Sequence, residues 1–255
     1  MKALTHSLTL LALTPLSLSA AVTTFSSLSY EQPLNALPGW TTSETNSSAA
    51  PLAWAEPVGG NMAGAVGGAY AEAVNTSFKA TMASSVYSSI ATISLDVMLR
   101  SSTSLAPGRD TFTVGVSRAT APGASLFDIV FSPAVSVGGV DTWEVGYGIN
   151  GGAVTYTGFV LNEDAWYDVG LAFNGSSFSF TFGNSVSTNT STGTIAGFNG
   201  ATAGLGNLSF GWQKANTTPY GDNYMLFDNV ESIPEPSAAL LGGLASLLLF
   251  RRRRG

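Results

Sequence analysis

Residues 162–184 read NEDAWYDVGLAFNGSSFSFTFGN. Two alternating runs flank an Asn174-Gly175 pair: Tyr167, Val169, Leu171 and Phe173 lead in, and Phe178, Phe180 and Phe182 lead out. Alternation with period two places every second side chain on one face of a strand. Asn-Gly is a strong signal for a two-residue hairpin turn. The stretch therefore predicts two antiparallel strands that share one apolar face.

The same period recurs on both sides of this hairpin. Ile93, Leu95, Val97 and Leu99 alternate with polar residues and Met98, and so do Phe112, Val114 and Val116. Phe127, Ile129 and Phe131 follow, then Trp143, Val145 and Tyr147, then Leu208, Phe210 and Trp212, with a last strand over 224–230. No helical period and no repeat of 20–50 residues intervenes. Many short strands at this spacing predict an all-β fold, a two-sheet antiparallel jelly-roll sandwich. Residues 32–72 are the least regular, rich in Pro, Gly, Ser and Ala. They read as a surface excursion or a set of short strands within the same domain.

Composition agrees. The 255 residues are 45% hydrophobic and only 10% charged, against about 25% charged in an average soluble domain. Residues 22–231 hold five basic and fifteen acidic residues, a net of −10. Such a body repels phosphate backbones, which excludes nucleic acid as a partner. The chain has no cysteine, so disulfides, thiol nucleophiles and Cys-ligated metals are excluded.

The first 21 residues carry Lys2, an apolar stretch over 8–18, and small residues at Ser19, Ala20 and Ala21. This is the layout of a cleavable signal peptide for Sec export, cut after Ala20 or Ala21. The only histidine, His6, lies within it, so the mature chain has neither His nor Cys. At the other end, residues 238–250 are uncharged and are followed by Arg251, Arg252, Arg253 and Arg254. As a helix this segment spans about 20 Å, short of the ~30 Å hydrocarbon core. It reads as a marginal transmembrane helix held at the inner membrane by the arginines.

The order Pro234-Glu235-Pro236, apolar helix, terminal arginine cluster resembles the PEP-CTERM sorting signal, over residues 233–255. The resemblance implies recognition of the Pro-Glu-Pro triplet by an exosortase-type processing enzyme, transient anchoring at the inner membrane, and delivery to the cell surface or extracellular polysaccharide matrix. The middle, residues 22–232, forms one domain. Its 162–184 stretch resembles the strand–turn–strand of laminin-G-like and concanavalin A-like domains, and YMLFDNVES (224–232) resembles their last strand.

Four function classes follow for this body. An enzyme with a Ser-His-Asp or Cys-His site is impossible without His and Cys. A carboxylate pair remains, from Asp141 with Glu144 or Glu163 with Asp164, without the alternating acids of concanavalin A-like glucanases. The expectation is no enzyme. Glycan binding needs aromatic rings with a few hydrogen-bonding groups. Trp40, Trp54 and Tyr220 lie in irregular sequence and are the candidates, whereas Trp143, Trp166 and Trp212 fall in strand patterns and read as core. A structural calcium, common in concanavalin A-like folds, would draw oxygens from Asp222, Asn223, Asp228 and Asn229. A passive structural or adhesive matrix protein without a specific ligand is the fourth.

Overall fold

The computed structural model describes residues 21–45, 53–68, 77–83, 90–101, 109–198, 204–214 and 223–234. The signal peptide (apart from Ala21), Tyr220, Asp222, Glu235, Pro236 and the apolar segment with its arginines lie outside the described residues. The strands are β1 (Ala21–Thr23), β2 (Trp40–Thr45), β3 (Ala53–Val58), β4 (Asn61–Gly68), β5 (Ser77–Met82), β6 (Ile90–Ser101), β7 (Thr111–Arg118) and β8 (Ala121–Val137). They continue with β9 (Val140–Ile149), β10 (Thr155–Asn162), β11 (Tyr167–Asn174), β12 (Ser177–Gly183), β13 (Thr188–Thr194), β14 (Leu205–Gln213) and β15 (Asn223–Pro234). One 3-10 turn, Leu34–Ala36, interrupts them. Among the described residues no helix is long and apolar enough to cross a membrane.

The strands form two antiparallel sheets, as the alternation predicts. The eight-stranded sheet runs β13-β12-β11-β6-β15-β4-β3 with β1 added on β15, and the seven-stranded sheet runs β10-β9-β8-β7-β14-β5-β2. The irregular 32–72 stretch contributes β2, β3 and β4, so it is woven into both sheets. β15 pairs with β4 as far as Phe227 and with β1 from Val230 onward.

Every residue of the predicted apolar series on β6, β7, β8, β11, β12 and β14 is buried. Side chains from both sheets meet in aromatic stacks. Phe210 of the seven-stranded sheet lies 3.8 Å from Phe227 of the eight-stranded sheet at 7°, and Trp40 stacks on both at 5.7 and 6.0 Å. At one end Arg109 is fully buried. Its guanidinium lies 5.2 Å over the Trp143 ring, donates to the Thr142 carbonyl at 3.0 Å and sits 3.5 Å from Asp141. Asp110 beside it accepts the Trp212 indole N–H at 2.8 Å, so this buried polar group is paired.

The hairpin that decided the fold differs from its sequence reading by one residue. Asn174 pairs with Ser177, so the turn residues are Gly175 and Ser176. Gly175 takes φ +60, which fits a turn with glycine at its first central position.

Candidate functional site

With the odd-numbered residues of β6 and β11 turned into the core, the even-numbered ones lie on the outer face of the eight-stranded sheet. Registers place them in rows. In one row Trp54 stands opposite Ala65, Ala65 opposite Leu226, and Leu226 opposite Met98. Trp166, one residue before β11, continues this row, because its neighbour Tyr167 faces Val97. Ala63, Ala65, Met98 and Leu226 are buried although they face outward, and Trp54, Val58, Trp166 and Tyr224 pack against them. The result is an apolar stripe with a half-buried tryptophan at each end.

The next row is acidic. Asp168 of β11 faces Asp96 of β6, and Asp96 faces Asp228 of β15. Like charges directly opposite one another across strands are destabilising, so three in a row oppose folding. Burial pushes the Asp96 carboxyl above the ordinary aspartate value; the Asn229 amide works against this, and Asp168 and Asp228 add to it. Burial likewise raises Asp228, opposed by its bond from the Asn229 backbone. Asn229 sits at φ +50 where the β15–β6 register shifts. From this bulge its side-chain amide donates to Asp96 at 2.7 Å and its backbone N–H to Asp228 at 2.8 Å.

Between stripe and acids lies a depression of about 160 Å³ lined by Val58, Asn61, Met62, Ala63, Asp96, Trp166, Asp228 and Asn229. Trp54 and Tyr224 extend the aromatic surface, with ring centroids 5.8 Å apart. The orientation of each is fixed from the side: the Trp54 indole N–H donates to Glu56 at 2.8 Å, and Arg100 donates to the Tyr224 hydroxyl at 3.2 Å. Arg100 also holds Asp164 at 2.7 Å. A ligand entering this face meets ring faces, an amide and carboxylate acceptors, a set suited to an apolar ring that carries hydroxyl groups.

The sequence candidates divide. Trp54 lies on this face. Trp40 is buried in the core stacks and offers no ring to a ligand. Trp166, read from sequence as core, is half-buried on the outer face, and the parity of Tyr167 was the signal for this. Asp228 and Asn229 line the depression. Asn223 is buried at the far end of β15, about 16 Å from Asp228 at strand rise. Asn223, Asp228 and Asn229 therefore cannot surround one calcium ion. Among the described residues no group of three or more His, Cys, Asp or Glu is arranged to hold a metal. Pro234, the first residue of the sorting triplet, is the last residue of β15 and stands opposite Ala91 of β6.

The carboxylate pairs do not converge either. Asp141 is buried against Ser136 at 2.7 Å, whereas Glu144 lies on the opposite side of β9, facing Ser132 and Val160. Glu163 accepts the Asp141 backbone N–H at 3.1 Å, and Asp164 is held by Arg100.

The outer face of the seven-stranded sheet is of another kind. Thr41, Thr81, Ser209, Gly115, Asp128 and Gly148 form one cross-strand row. All but Gly148 line a trough of about 380 Å³, together with further hydroxyls at Ser43, Ser117 and Ser125 and with Lys79 as its one cation.

No family model matches the chain, and no curated protein matches it. Solved structures do share the fold. A lectin from Bauhinia forficata, solved with GalNAc, is 8% identical over 85% of this chain and 100% of its own, with a TM-score of 0.51. The alginate lyase A1-II', a polysaccharide lyase of family 7, is 12% identical over 72% of this chain and 84% of its own, with a TM-score of 0.50. The CBM2 module of an evolved Dit protein from Lactobacillus casei BL23 phage J-1 is 11% identical over 83% and 96%, with a TM-score of 0.48. At these identities the likeness to the lectin and the lyase defines only the class of fold: a two-sheet antiparallel sandwich.

The expectation of no enzyme is thereby corrected. The fold is shared with an alginate lyase, so the fold gives no ground for excluding an enzyme. The sequence argument excluded nucleophiles that need His or Cys, but an elimination needs only positioned proton transfer. Tyr, Lys and carboxylates can supply that.

Proposed function

We propose that this chain is an exported β-sandwich that binds glycan through the outer face of its eight-stranded sheet, at the cell surface or in an extracellular polysaccharide matrix. The observation that carries the binding reading is the stripe with Trp54 and Trp166 at its ends, alongside the depression lined by Asp96, Asp228 and Asn229. Rings cover the apolar faces of sugars while the acceptors take hydroxyls, and the likeness in fold to a lectin supports this use. Charge narrows the ligand. Glu56, Asp96, Asp168 and Asp228 line or flank the stripe, and the body carries a net of −10. Like charge repels uronates and sulfated chains and favours neutral or amino sugars.

The address belongs to the same proposal. The signal peptide sends the chain through Sec, and the Pro234-Glu235-Pro236 triplet with its apolar tail and arginines presents it to an exosortase-type enzyme. The test is affinity electrophoresis of the purified protein through neutral, amino-sugar and uronate polysaccharides, repeated with Trp166→Ala. Retardation by neutral or amino-sugar chains that the substitution weakens about tenfold supports the site. No retardation by any chain, or retardation that Trp166→Ala leaves unchanged, overturns it.

A further inference from the structure

Each sheet ends in an edge strand, and such edges template further pairing unless something covers or blunts them; β3 is already bonded at Ala55 by Glu31 and Gln32. Three of the four ends are blunted. β3 carries Glu56 and Pro57, and β2 carries Glu44. β10 is broken by a register shift between Tyr156 and Val160, with Gly158 at φ +76. β13, TNTSTGT, has no charge and no proline, and its register against β12 is continuous from Thr188 to Thr194.

Which groups face outward follows from the hydrogen bonds at its ends. Asn184 donates to the Ser187 carbonyl at 2.9 Å and Ile195 to the Ser176 carbonyl at 2.7 Å. Antiparallel pairs alternate between bonded and non-bonded residues, so Asn189, Ser191 and Gly193 direct their backbone groups at β12. Thr188, Thr190, Thr192 and Thr194 direct theirs at the open edge, and their side chains are the exposed ones.

We propose that this edge pairs with the β13 edge of a second copy of the chain. An antiparallel two-fold centred on Ser191 sets Thr188 against Thr194 and Thr190 against Thr192 of the other copy. These are the residues whose N–H and C=O face out, so each of the four facing pairs exchanges two bonds. Threonine opposite threonine is a favourable cross-strand pair, and Asn189 meets Gly193. The strand is thus complementary to itself under a two-fold, the requirement of an isologous dimer. Charge does not oppose the pairing. β12 is also uncharged, and the nearest acidic row begins at Asp168 on β11. Five strand spacings separate the two copies' β11 strands, about 24 Å, roughly three Debye lengths at physiological salt. The two eight-stranded sheets would become one continuous sheet, with both aromatic stripes on the same side.

Sedimentation equilibrium of the purified protein across the micromolar range tests this. The wild type should sediment as a dimer. Thr190→Lys with Thr192→Lys sets ammonium against ammonium at two symmetric contacts and should weaken the dimer at least about tenfold, with an unchanged melting temperature at concentrations where both proteins are monomeric. Thr190→Lys with Thr192→Glu sets opposite charges at those contacts and should restore it at low salt. A monomeric wild type overturns the proposal, and so does a dimer that the double lysine variant leaves intact. A folded Thr190→Lys, Thr192→Glu variant that stays monomeric at low salt overturns the two-fold register.

Discussion

The two outer faces of this sandwich are built by one rule and differ in chemistry. On the eight-stranded sheet the outward positions are Trp54, Leu226, Met98 and Trp166, next to Asp228, Asp96 and Asp168. On the seven-stranded sheet they are Thr41, Thr81, Ser209, Gly115 and Gly211, with Lys79 and Asp128 among them, and toward β10 they are Val130, Tyr156 and Val160. The inner faces of both are filled by the same Phe, Val, Ile, Leu and Trp residues. Core burial therefore demands nothing of either outer face. The second face also exposes apolar groups, Tyr156 and Val160 on β10, so apolar exposure alone does not separate the two. The first differs in setting two half-buried tryptophans on a buried apolar row and three carboxylates side by side. Both features oppose folding or solubility, and the proposed glycan site gives both a use.

The comparison requires that stability reside between the faces. Phe210→Ala removes the ring that stacks on Phe227 and Trp40 and should cost about 3–5 kcal/mol. For a domain of this size that lowers the melting temperature by roughly 10 °C, as differential scanning calorimetry would show. A loss below about 1 kcal/mol would mean that the two sheets are not held by this stack. Next in size is the aromatic stripe. Trp166→Ala should weaken glycan retention about tenfold with little change in melting temperature, because stacking on one ring is worth on the order of 1 kcal/mol. Ser209→Val on the other face is its control and should leave retention within about twofold. Equal effects from both substitutions would dissolve the distinction between the faces.

Much of this architecture is legible in the sequence because burial on one face imposes period two. The runs through Leu95, Phe112, Phe127, Leu171, Phe180 and Phe210 announce their strands. β3 and β4 were not legible. Their inward positions are mostly small, as at Ala53, Ala55 and Gly64, and Gly64 allows the rings of Phe227 and Phe25 to approach within 3 Å of where a Cβ would stand. Small residues give no hydrophobic alternation, so packing by approach is invisible to a periodicity argument. β13 escaped because neither of its faces is apolar. Trp166 was misread for a different reason: it fell beside a strand pattern and was read as core, while its parity against Tyr167 placed it outside. The acidic row could not be read at all. It joins Asp168, Asp96 and Asp228 from three strands distant in sequence, and only register brings them into line.

The smallest effect concerns that row and tests whether it opposes folding. Burial and then the neighbouring carboxylates hold Asp96 above its ordinary value of 3.8, against the Asn229 amide. A carboxyl whose value is raised on folding binds more protons in the folded state than in the unfolded one. Stability then falls as pH rises through the window from the unfolded value up to the folded one. Below that window the carboxyl is protonated in both states and has no such effect. Asp96→Asn keeps an oxygen that can accept the Asn229 amide but carries no charge. At neutral pH it should stabilise the protein by about 0.5 kcal/mol, and the gain should vanish as pH falls toward 3.8. Paired urea melts of wild type and variant at several pH values read this directly. A variant less stable than wild type at neutral pH would mean that the row is held by attraction, and the contrast between the two faces would lose its acidic half. Stabilisation combined with weaker glycan retention would tie the unfavourable row to the ligand.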